Sequence, residues 1–237
     1  MINLSVVVPV YNEEDQIMEL YLSITAAVRD KADSYEIVLV DDGSRDRSAA
    51  ILDELAAGDE TVIHFERHCG ETAAISAGLK QSRGELIVLM DGGLQGNPQD
   101  IVRLMPFINK VDFINGRRSD AAASLLTRLP AQLGNQLRNW LTGEQIRDSE
   151  SPLKLMTREV ADSFHLYNGM HRYLPTLARM NGYSVIEVSV TYRKKKGRGF
   201  KLRFIKQLIT GLLDIAVICM LKRRVVHYRI RSSPNLK

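Results

Sequence analysis

Cysteine is nearly absent from this chain of 237 residues, which holds two, Cys69 and Cys219. Two cysteines so far apart form neither a disulfide framework nor a zinc-ligand spacing, and the five histidines add no metal-binding pattern. This scarcity excludes a small secreted disulfide scaffold and favours a reducing, cytoplasmic setting. Because free cysteine is usually buried, we expect both side chains to fill apolar space.

Long hydrophobic runs are also missing. A mainly apolar stretch at 208–221 contains Asp214 and falls short of the roughly 20 residues that a transmembrane helix needs. Its basic flanks favour an interfacial amphipathic helix, while a core helix packed on the domain is an equally good interpretation. The first residues lack the basic segment and cleavage site of a secretory signal, so we expect a first strand there.

Aromatic residues make up 6% of the chain, with one tryptophan among them. The formal net charge is only +4, but lysine and arginine are concentrated after residue 192, beginning with RKKKGRGFKLR. Such a cluster predicts an anionic partner. Since few aromatic residues lie there for base stacking, we expect a phosphate or an anionic membrane surface as partner, and no nucleic acid.

Short apolar runs alternate with helical patterns through the first half of the chain. Strands are predicted at 5–10, 36–40, 62–65, 86–90, 112–115 and 185–190, and helices at 48–57, 72–81, from Pro98, at 120–142 and at 200–224. Asn12 is predicted to cap a further helix, with Glu13 and Glu14 in its first turn. This alternation predicts an α/β fold with a mainly parallel sheet and helices on both faces.

Polar and charged residues follow the predicted strands at 11–13, 41–44, 91–95 and 117–118. In open parallel sheets, ligands bind beyond the carboxyl ends of the strands. Any one of these clusters is equally well explained by turn formation, since Asp-Gly is a common turn pair. Four clusters at strand ends together predict a binding site along one edge of the sheet.

Four motifs in this order resemble those of the inverting family 2 glycosyltransferases. They are Pro9-Val10-Tyr11-Asn12-Glu13, Val40-Asp41-Asp42-Gly43-Ser44-Arg45-Asp46, Gly70-Glu71-Thr72-Ala73-Ala74, and Asp91-Gly92-Gly93-Leu94-Gln95, which stands where the family carries D-x-D-L-Q. The resemblance extends over about 4–221 and is strongest to the polyprenyl-phosphate hexose synthases. It implies a GT-A fold, a nucleotide-binding sheet with helices on both faces, over 1–199, followed by a basic, amphipathic helical segment at 200–237.

The resemblance also implies roles for individual residues. The nucleotide is expected on Pro9, Tyr11, Glu13, Asp41 and Asp42; the division of work between the two aspartates stays open, and helix capping is the alternative for either. Asp91 is the expected catalytic residue and, with Gln95, the expected ligand of a Mg²⁺ or Mn²⁺ that bridges the two phosphates. The acceptor phosphate is expected on Arg117, Arg128, Arg198 and Lys201.

The implied activity is transfer of a sugar from a nucleotide-sugar donor to a polyprenyl phosphate. The expected location is cytoplasmic and peripheral, at the inner membrane face, where a membrane-protein partner is compatible with the basic segment. An acceptor phosphate is already anionic near pH 7 and needs no strong protein base. Transfer to a hydroxyl acceptor would need a general base. Because the sequence offers no clear one, this interpretation ranks below transfer to a phosphate.

Several positions depart from the family pattern. Gly93 stands where the second Asp of D-x-D is expected, Ala131 stands in place of a serine, and Gly169 in place of an acid. The family's D-Y-G-C-x-L-K is Asp148-Ser149-Glu150-Ser151-Pro152-Leu153-Lys154 here. Losing the carboxylate at position 93 should weaken metal binding. Two interpretations therefore stay open: an active transferase, or a catalytically impaired relative that binds a nucleotide-sugar or a protein partner.

Overall fold

The computed structural model describes residues 3–56, 60–118 and 146–193, together with Val217 and Met220. Its strands are β1 (Leu4–Val10), β2 (Tyr35–Asp41), β3 (Thr61–His64), β4 (Leu86–Met90), β5 (Phe113–Arg118), β6 (Leu153–Thr157) and β7 (Val185–Val190). Its α-helices are α1 (Ile17–Val28), α2 (Ser48–Ala56), α3 (Glu71–Gln81), α4 (Asp100–Ile108), α5 (Arg158–Asp162) and α6 (Leu174–Met180), with a 3₁₀ helix at Met170–Tyr173.

The described strands form one seven-stranded sheet in the order β3-β2-β1-β4-β6-β5-β7. All neighbouring strands run parallel except β6, which is antiparallel to both β4 and β5. The carboxyl ends of β1, β2, β4 and β5 therefore meet at one edge, and β6 begins at that same edge, because Leu153 pairs with Met90. We call this the carboxyl edge.

The sheet is buried on both faces. On one face, Val6 and Val8 of β1 pack with Leu20 of α1 and with α2 and α4; on the other, Val7 packs with Ile75 of α3 and with α5 and α6. Continuous apolar runs such as SVVVPV are what a strand covered on both sides requires. The prediction of a mainly parallel sheet with helices on both faces is confirmed.

Helix α3 lies close against the sheet because Gly78 has no side chain. A Cβ built at Gly78 would come within 2.3 Å of Val7 Cγ1 and 3.2 Å of Val40 Cγ2. Both valines belong to the buried layer beneath α3. The close approach brings the N-terminus of α3, at Glu71, to the carboxyl edge of the sheet.

The predicted helix cap at Asn12 is wrong. Helix α1 begins at Ile17, and Asn12 adopts a left-handed backbone with φ of 54°. Its side chain instead accepts a hydrogen bond from Arg45 N at 2.8 Å, and its own N–H donates to Ser44 Oγ at 3.0 Å. Asn12 therefore joins the loops after β1 and β2, which is a role that asparagine fills because it tolerates positive φ.

The predicted elements agree unevenly with the structure. Strands at 86–90 and 185–190 match β4 and β7, and the other predicted strands begin within one residue of β1, β2, β3 and β5. Strand β6 and the helices between 158 and 180 were not predicted. The helix predicted at 120–142 lies outside the described residues, as do the boundary at 199 and most of the helix at 200–224, where Val217 and Met220 are helical and exposed.

None of the helices in the described ranges combines the length and the hydrophobicity that crossing a bilayer requires.

Glu36 ties β2 to β1 and to the segment after α3. Its carboxylate is 7% exposed and accepts hydrogen bonds from Ser5 Oγ at 2.6 Å, Arg83 N at 2.5 Å and Arg83 Nε at 3.0 Å. Burial alone would raise the pKa of Glu36, but these hydrogen bonds and the Arg83 charge lower it. A depressed folded-state pKa means stability that is present above the unfolded pKa and is lost as the pH falls through the folded pKa.

Glu36→Gln should lower the free energy of unfolding by about 1–2 kcal/mol at pH 7. We expect no larger loss because the Arg83 side chain is largely exposed, so that solvent screens its ion pair with Glu36. Urea unfolding at pH 7 and at about pH 3.5, below the usual Glu pKa, checks this. The difference from wild type should shrink at the lower pH. Glu85→Gln, at an exposed position, is the matched control; an equal loss from both variants, or a loss independent of pH, would contradict the assignment.

Candidate functional site

The carboxyl edge collects the predicted site residues that the structure describes. Tyr11 follows β1, Asp41 and Asp42 close β2, Asp91 follows β4, and Arg117 lies at the end of β5. The loop after β4 passes directly against the end of β1, since a Cβ at Gly92 would lie 2.5 Å from the Pro9 carbonyl oxygen. Arg128, Arg198 and Lys201, which were also predicted, lie outside the described residues.

Asp41 holds the turn that follows β2. Its side chain is buried, Oδ1 accepts from Ser44 N at 2.9 Å, and Oδ2 lies 3.1 Å from His64 Nδ1. Gly43 within this turn has φ of +67°, and a Cβ there would lie 2.5 Å from the Arg67 backbone. Asp41 thus shapes the loop, a role that an aspartate plays by bonding to backbone two or three residues on.

Asp42 joins the turn after β2 to the loop that precedes α3. The carboxylate accepts from Cys69 N at 2.6 Å and from Gly70 N at 2.9 Å, and His68 Nδ1 lies 2.8 Å from its Oδ2. The His68 ring stacks on Tyr11, with ring centroids 4.0 Å apart. Tyr11 is 36% exposed, so this pair offers an aromatic surface at the carboxyl edge.

Cys69 and Glu13 lie in loops near Asp41 and Asp42. The expectation that Cys69 fills apolar space is wrong: Cys69 is exposed, and it lies in the loop before α3, where its N–H donates to Asp42. Glu13 contacts the start of α2, where its N–H donates to Ser48 Oγ at 2.9 Å, and its Oε2 accepts from Gln16 Nε2 at 3.4 Å. Glu13 therefore links the loop after β1 to the start of α2.

Asp91 lies partly buried at the end of β4, where its N–H donates to the Pro152 carbonyl at 3.1 Å. Burial raises the pKa of the Asp91 carboxyl to about 6, and the Lys154 ammonium opposes that rise. Lys154 belongs to β6 and is 5% exposed. The sequence motif identified Asp91, but it did not single out the lysine beside it.

The residues near Asp91 supply few ligands for a divalent cation. Gly93 offers no side-chain oxygen, and Gln95 Oε1 accepts from Tyr192 Oη at 3.2 Å. Within the described ranges, no three His, Cys, Asp or Glu side chains converge as a metal-binding group. Magnesium in enzymes is commonly held by one or two carboxylates together with substrate phosphates. Asp91 and Gln95 therefore fit an ion shared with a diphosphate better than one held by protein alone.

Arg118 forms a two-point ion pair with Asp148 at the edge. Its Nε and Nη2 donate to the two oxygens of Asp148 at 2.8 and 2.6 Å, and its guanidinium lies 5.2 Å from the centre of the Tyr192 ring. The neighbouring Arg117 is less constrained, with Nη2 donating to Ser189 Oγ at 3.0 Å. The sequence motif identified Arg117. It did not identify the ion pair of Arg118 with Asp148, because those two residues are 30 positions apart in the chain.

His171 links the 3₁₀ helix to the start of α3. Its Nδ1 lies 2.6 Å from Thr72 Oγ1, and Thr72 Oγ1 already accepts from Gly169 N at 3.0 Å. His171 Nε2 lies 3.4 Å from the Glu71 carboxylate, which accepts hydrogen bonds, so the neutral tautomer that suits both contacts carries its proton on Nε2 and accepts from the Thr72 hydroxyl at Nδ1. Burial, with the charges of Arg172 and Lys154, lowers the pKa of His171 to about 4, so the ring is neutral at pH 7.

A sequence model described as "Glycosyl transferase family 2" matches residues 5–164. Among curated proteins, two similar ones are each named undecaprenyl-phosphate 4-deoxy-4-formamido-L-arabinose transferase. The protein from Pseudomonas fluorescens (strain Pf0-1) is 33% identical over 223 residues, covering 91% of this chain and 64% of that protein. The protein from Pectobacterium atrosepticum is 31% identical over 217 residues, covering 90% and 66%. The chain thus spans slightly less than two thirds of the length of these relatives.

Solved structures share the fold at low sequence identity. Glucosyl-3-phosphoglycerate synthase from Mycobacterium tuberculosis, in complex with Mn²⁺, UDP and phosphoglyceric acid, has a TM-score of 0.69 at 20% identity, covering 90% of this chain and 78% of that chain. Mannosyltransferase PcManGT from Pyrobaculum calidifontis, with GDP-Man and Mn²⁺, has a TM-score of 0.66 at 18% identity, covering 91% and 64%. These similarities confirm the predicted GT-A fold.

Proposed function

The chain belongs to glycosyl transferase family 2, and on that premise we propose that it transfers a sugar from a nucleotide-sugar donor to a polyprenyl phosphate. The observation that carries the proposal is the arrangement along the carboxyl edge. An aromatic and acidic end formed by Tyr11, His68 and Asp42 is followed by Asp91 and then by Arg117. The relatives named above as undecaprenyl-phosphate transferases support a polyprenyl phosphate as the acceptor.

The donor is proposed to lie with its nucleoside on the loops of Pro9, Tyr11, Glu13, Asp41 and Asp42. In this arrangement Asp41 and Asp42 act mainly by fixing those loops, since their oxygens are engaged by Ser44 N, Cys69 N and Gly70 N. The stacked rings of Tyr11 and His68 would provide the aromatic surface for the base. The diphosphate would then extend towards Asp91.

Catalysis in this proposal is a direct displacement at the anomeric carbon. An oxygen of the acceptor phosphate forms the new bond, the bond to the donor's diphosphate breaks, and the nucleoside diphosphate leaves. The acceptor is anionic near pH 7, so no strong general base is needed. A Mg²⁺ or Mn²⁺ held by Asp91 and Gln95 together with the diphosphate would stabilise the charge on the leaving group.

The acceptor phosphate is proposed to lie near Arg117, with Arg128, Arg198 and Lys201 as further contacts that the resemblance implies. A guanidinium suits phosphate because its planar donors bind two oxygens at once. The basic residues after 192 would hold the protein against anionic lipid at the cytoplasmic face of the inner membrane. A membrane-protein partner there is compatible with this placement.

Transfer can be tested with purified protein, vesicles that contain undecaprenyl phosphate, and a panel of labelled UDP-, GDP- and dTDP-sugars with Mg²⁺ or Mn²⁺. The panel should include a nucleotide-linked 4-deoxy-4-formamido-L-arabinose. We expect label to enter the organic phase with one donor, and none to do so when the vesicles lack undecaprenyl phosphate. Absence of product with every donor would contradict the proposed activity.

Gly93 favours a second candidate function, a relative that binds a nucleotide-sugar or a protein partner without turnover. The position that carries the second carboxylate in the family has no side chain here. Calorimetric titration with the same donors separates the two functions. Tight binding of one donor without transfer to any acceptor would favour the non-catalytic function, and binding accompanied by transfer would exclude it.

A further inference from the structure

Lys154 is a charged residue in a position that the fold would otherwise fill with an apolar side chain. It is the second residue of β6 and pairs with Leu89 of β4 and with Asn115 of β5. Leu89 and Met156 pack on the α3 side of the sheet, and alternation along β6 places Lys154 on that same side. Lysine is seldom fully buried unless it is paired, so its retention at 5% exposure calls for a partner.

Alternation also places Asp91 on this side, two residues after Leu89. Helix α3 begins at Glu71, at the carboxyl edge. Asp148 also lies at this edge, where it forms an ion pair with Arg118. The charges that act on the Lys154 ammonium are those of three carboxylates, of Asp91, Asp148 and Glu71, and of one guanidinium, of Arg118. Burial lowers the pKa of Lys154, and of these carboxylates Asp91 does most to oppose that change.

Within the part of the chain that the structure describes, the Lys154 ammonium has hydrogen-bond donors left for a ligand. It donates one hydrogen bond to the Ser151 carbonyl oxygen. An ammonium carries three N–H donors, so the bond to Ser151 uses one of them. The cation thus has a fixed anchor from the backbone and lies beside the carboxylate at which the proposed function places the diphosphate.

We propose that Lys154 is a fixed cation for the diphosphate of the donor, supplying part of the positive charge that a metal supplies where D-x-D is complete. This inference rests on the proposed function and adds to it a diphosphate contact that does not require a divalent ion. In the free protein the ammonium compensates Asp91, and on donor binding it also faces the diphosphate oxygens. On this proposal the Lys154 charge remains at the diphosphate site although the carboxylate at position 93 is missing.

The difference between a nucleoside diphosphate and its monophosphate isolates this contact. Calorimetric titrations with UDP and UMP, and likewise GDP and GMP, dTDP and dTMP, are made in EDTA so that no metal contributes. We expect wild type to bind one diphosphate about 10-fold more tightly than the matching monophosphate, which corresponds to about 1.4 kcal/mol. In Lys154→Met the ratio should fall to about one, whereas Lys80→Met, at an exposed position on α3, should keep it.

Other results distinguish a failure of the Lys154 inference from a failure of the proposed function. A ratio unchanged in Lys154→Met would overturn the inference and make Lys154 a core lysine, and so would diphosphate binding that appears only with Mn²⁺; the proposed function would survive both. No nucleotide binding under any condition would overturn both. If Lys154→Met does not fold, Lys154→Gln replaces it, because the amide can still donate to the Ser151 carbonyl but carries no charge: the metal-free ratio should again fall to about one, and an unchanged ratio would overturn the inference.

Discussion

Replacing Asp91 by asparagine is expected to reduce sugar transfer by about 100–1000-fold, the loss that follows removal of one preorganised electrostatic group from a transition state. Asparagine keeps the size of the side chain and removes the charge. The wild-type carboxylate is mostly ionised at pH 7.5, because its pKa is about 6. The measurement is kcat at saturating donor, with lipid-linked product followed by extraction into the organic phase.

The matched control is Asp30→Asn, the same chemical change at an exposed turn after α1. It should leave kcat unchanged, and circular dichroism should show both variants folded. Weaker donor binding in Asp91→Asn with kcat unchanged would place the charge in ground-state binding, while a loss in kcat alone would place it in the transition state. A kcat within about threefold of wild type, far short of the loss expected from one such electrostatic group, would exclude Asp91 as the catalytic residue.

The strands were predictable where burial on both faces leaves a continuous apolar run. The segments that form β1 and β4 are of this kind, and their predicted positions are close to the observed ones. Strand β6 was missed because Lys154 interrupts its pattern, so that LKLMT resembles neither a buried strand nor an alternating one. Natural proteins break such local rules at functional sites, and the interruption itself was the available signal.

The site was predictable only in the parts that short motifs encode. Asp42 and Asp91 stand in contiguous patterns, but the pairing of Arg118 with Asp148 and of Thr72 with His171 joins residues 30 and 99 positions apart. Such contacts depend on strand order and helix packing, which one sequence does not specify. Asn12 shows the converse case, since its residue type suited a helix cap equally well and only the backbone φ of 54° decided against it.

Gly93→Asp, which restores the second carboxylate of the family pattern, should raise the Mn²⁺ enhancement of nucleoside diphosphate binding by about 100-fold. Changes to groups that merely support metal ligands typically alter metal affinity by about 10–100-fold, so a new direct ligand should act at the upper end. Gly93 is not among the described glycines with positive φ, so an aspartate there does not incur the strain of a left-handed backbone. Calorimetric titration of UDP, GDP and dTDP with and without Mn²⁺ measures the effect.

Gly93→Asn is the matched control, with the same size and no charge, and it should leave the enhancement near that of wild type. A second test combines the change at position 93 with the removal of the Lys154 charge. If Lys154 neutralises the new carboxylate, part of the gain will be hidden in the single variant, and Gly93→Asp combined with Lys154→Met should show the largest dependence on Mn²⁺. An enhancement that is the same in all three variants would mean that position 93 lies outside the metal's reach, and the role of Asp91 would then have to be explained without a shared ion.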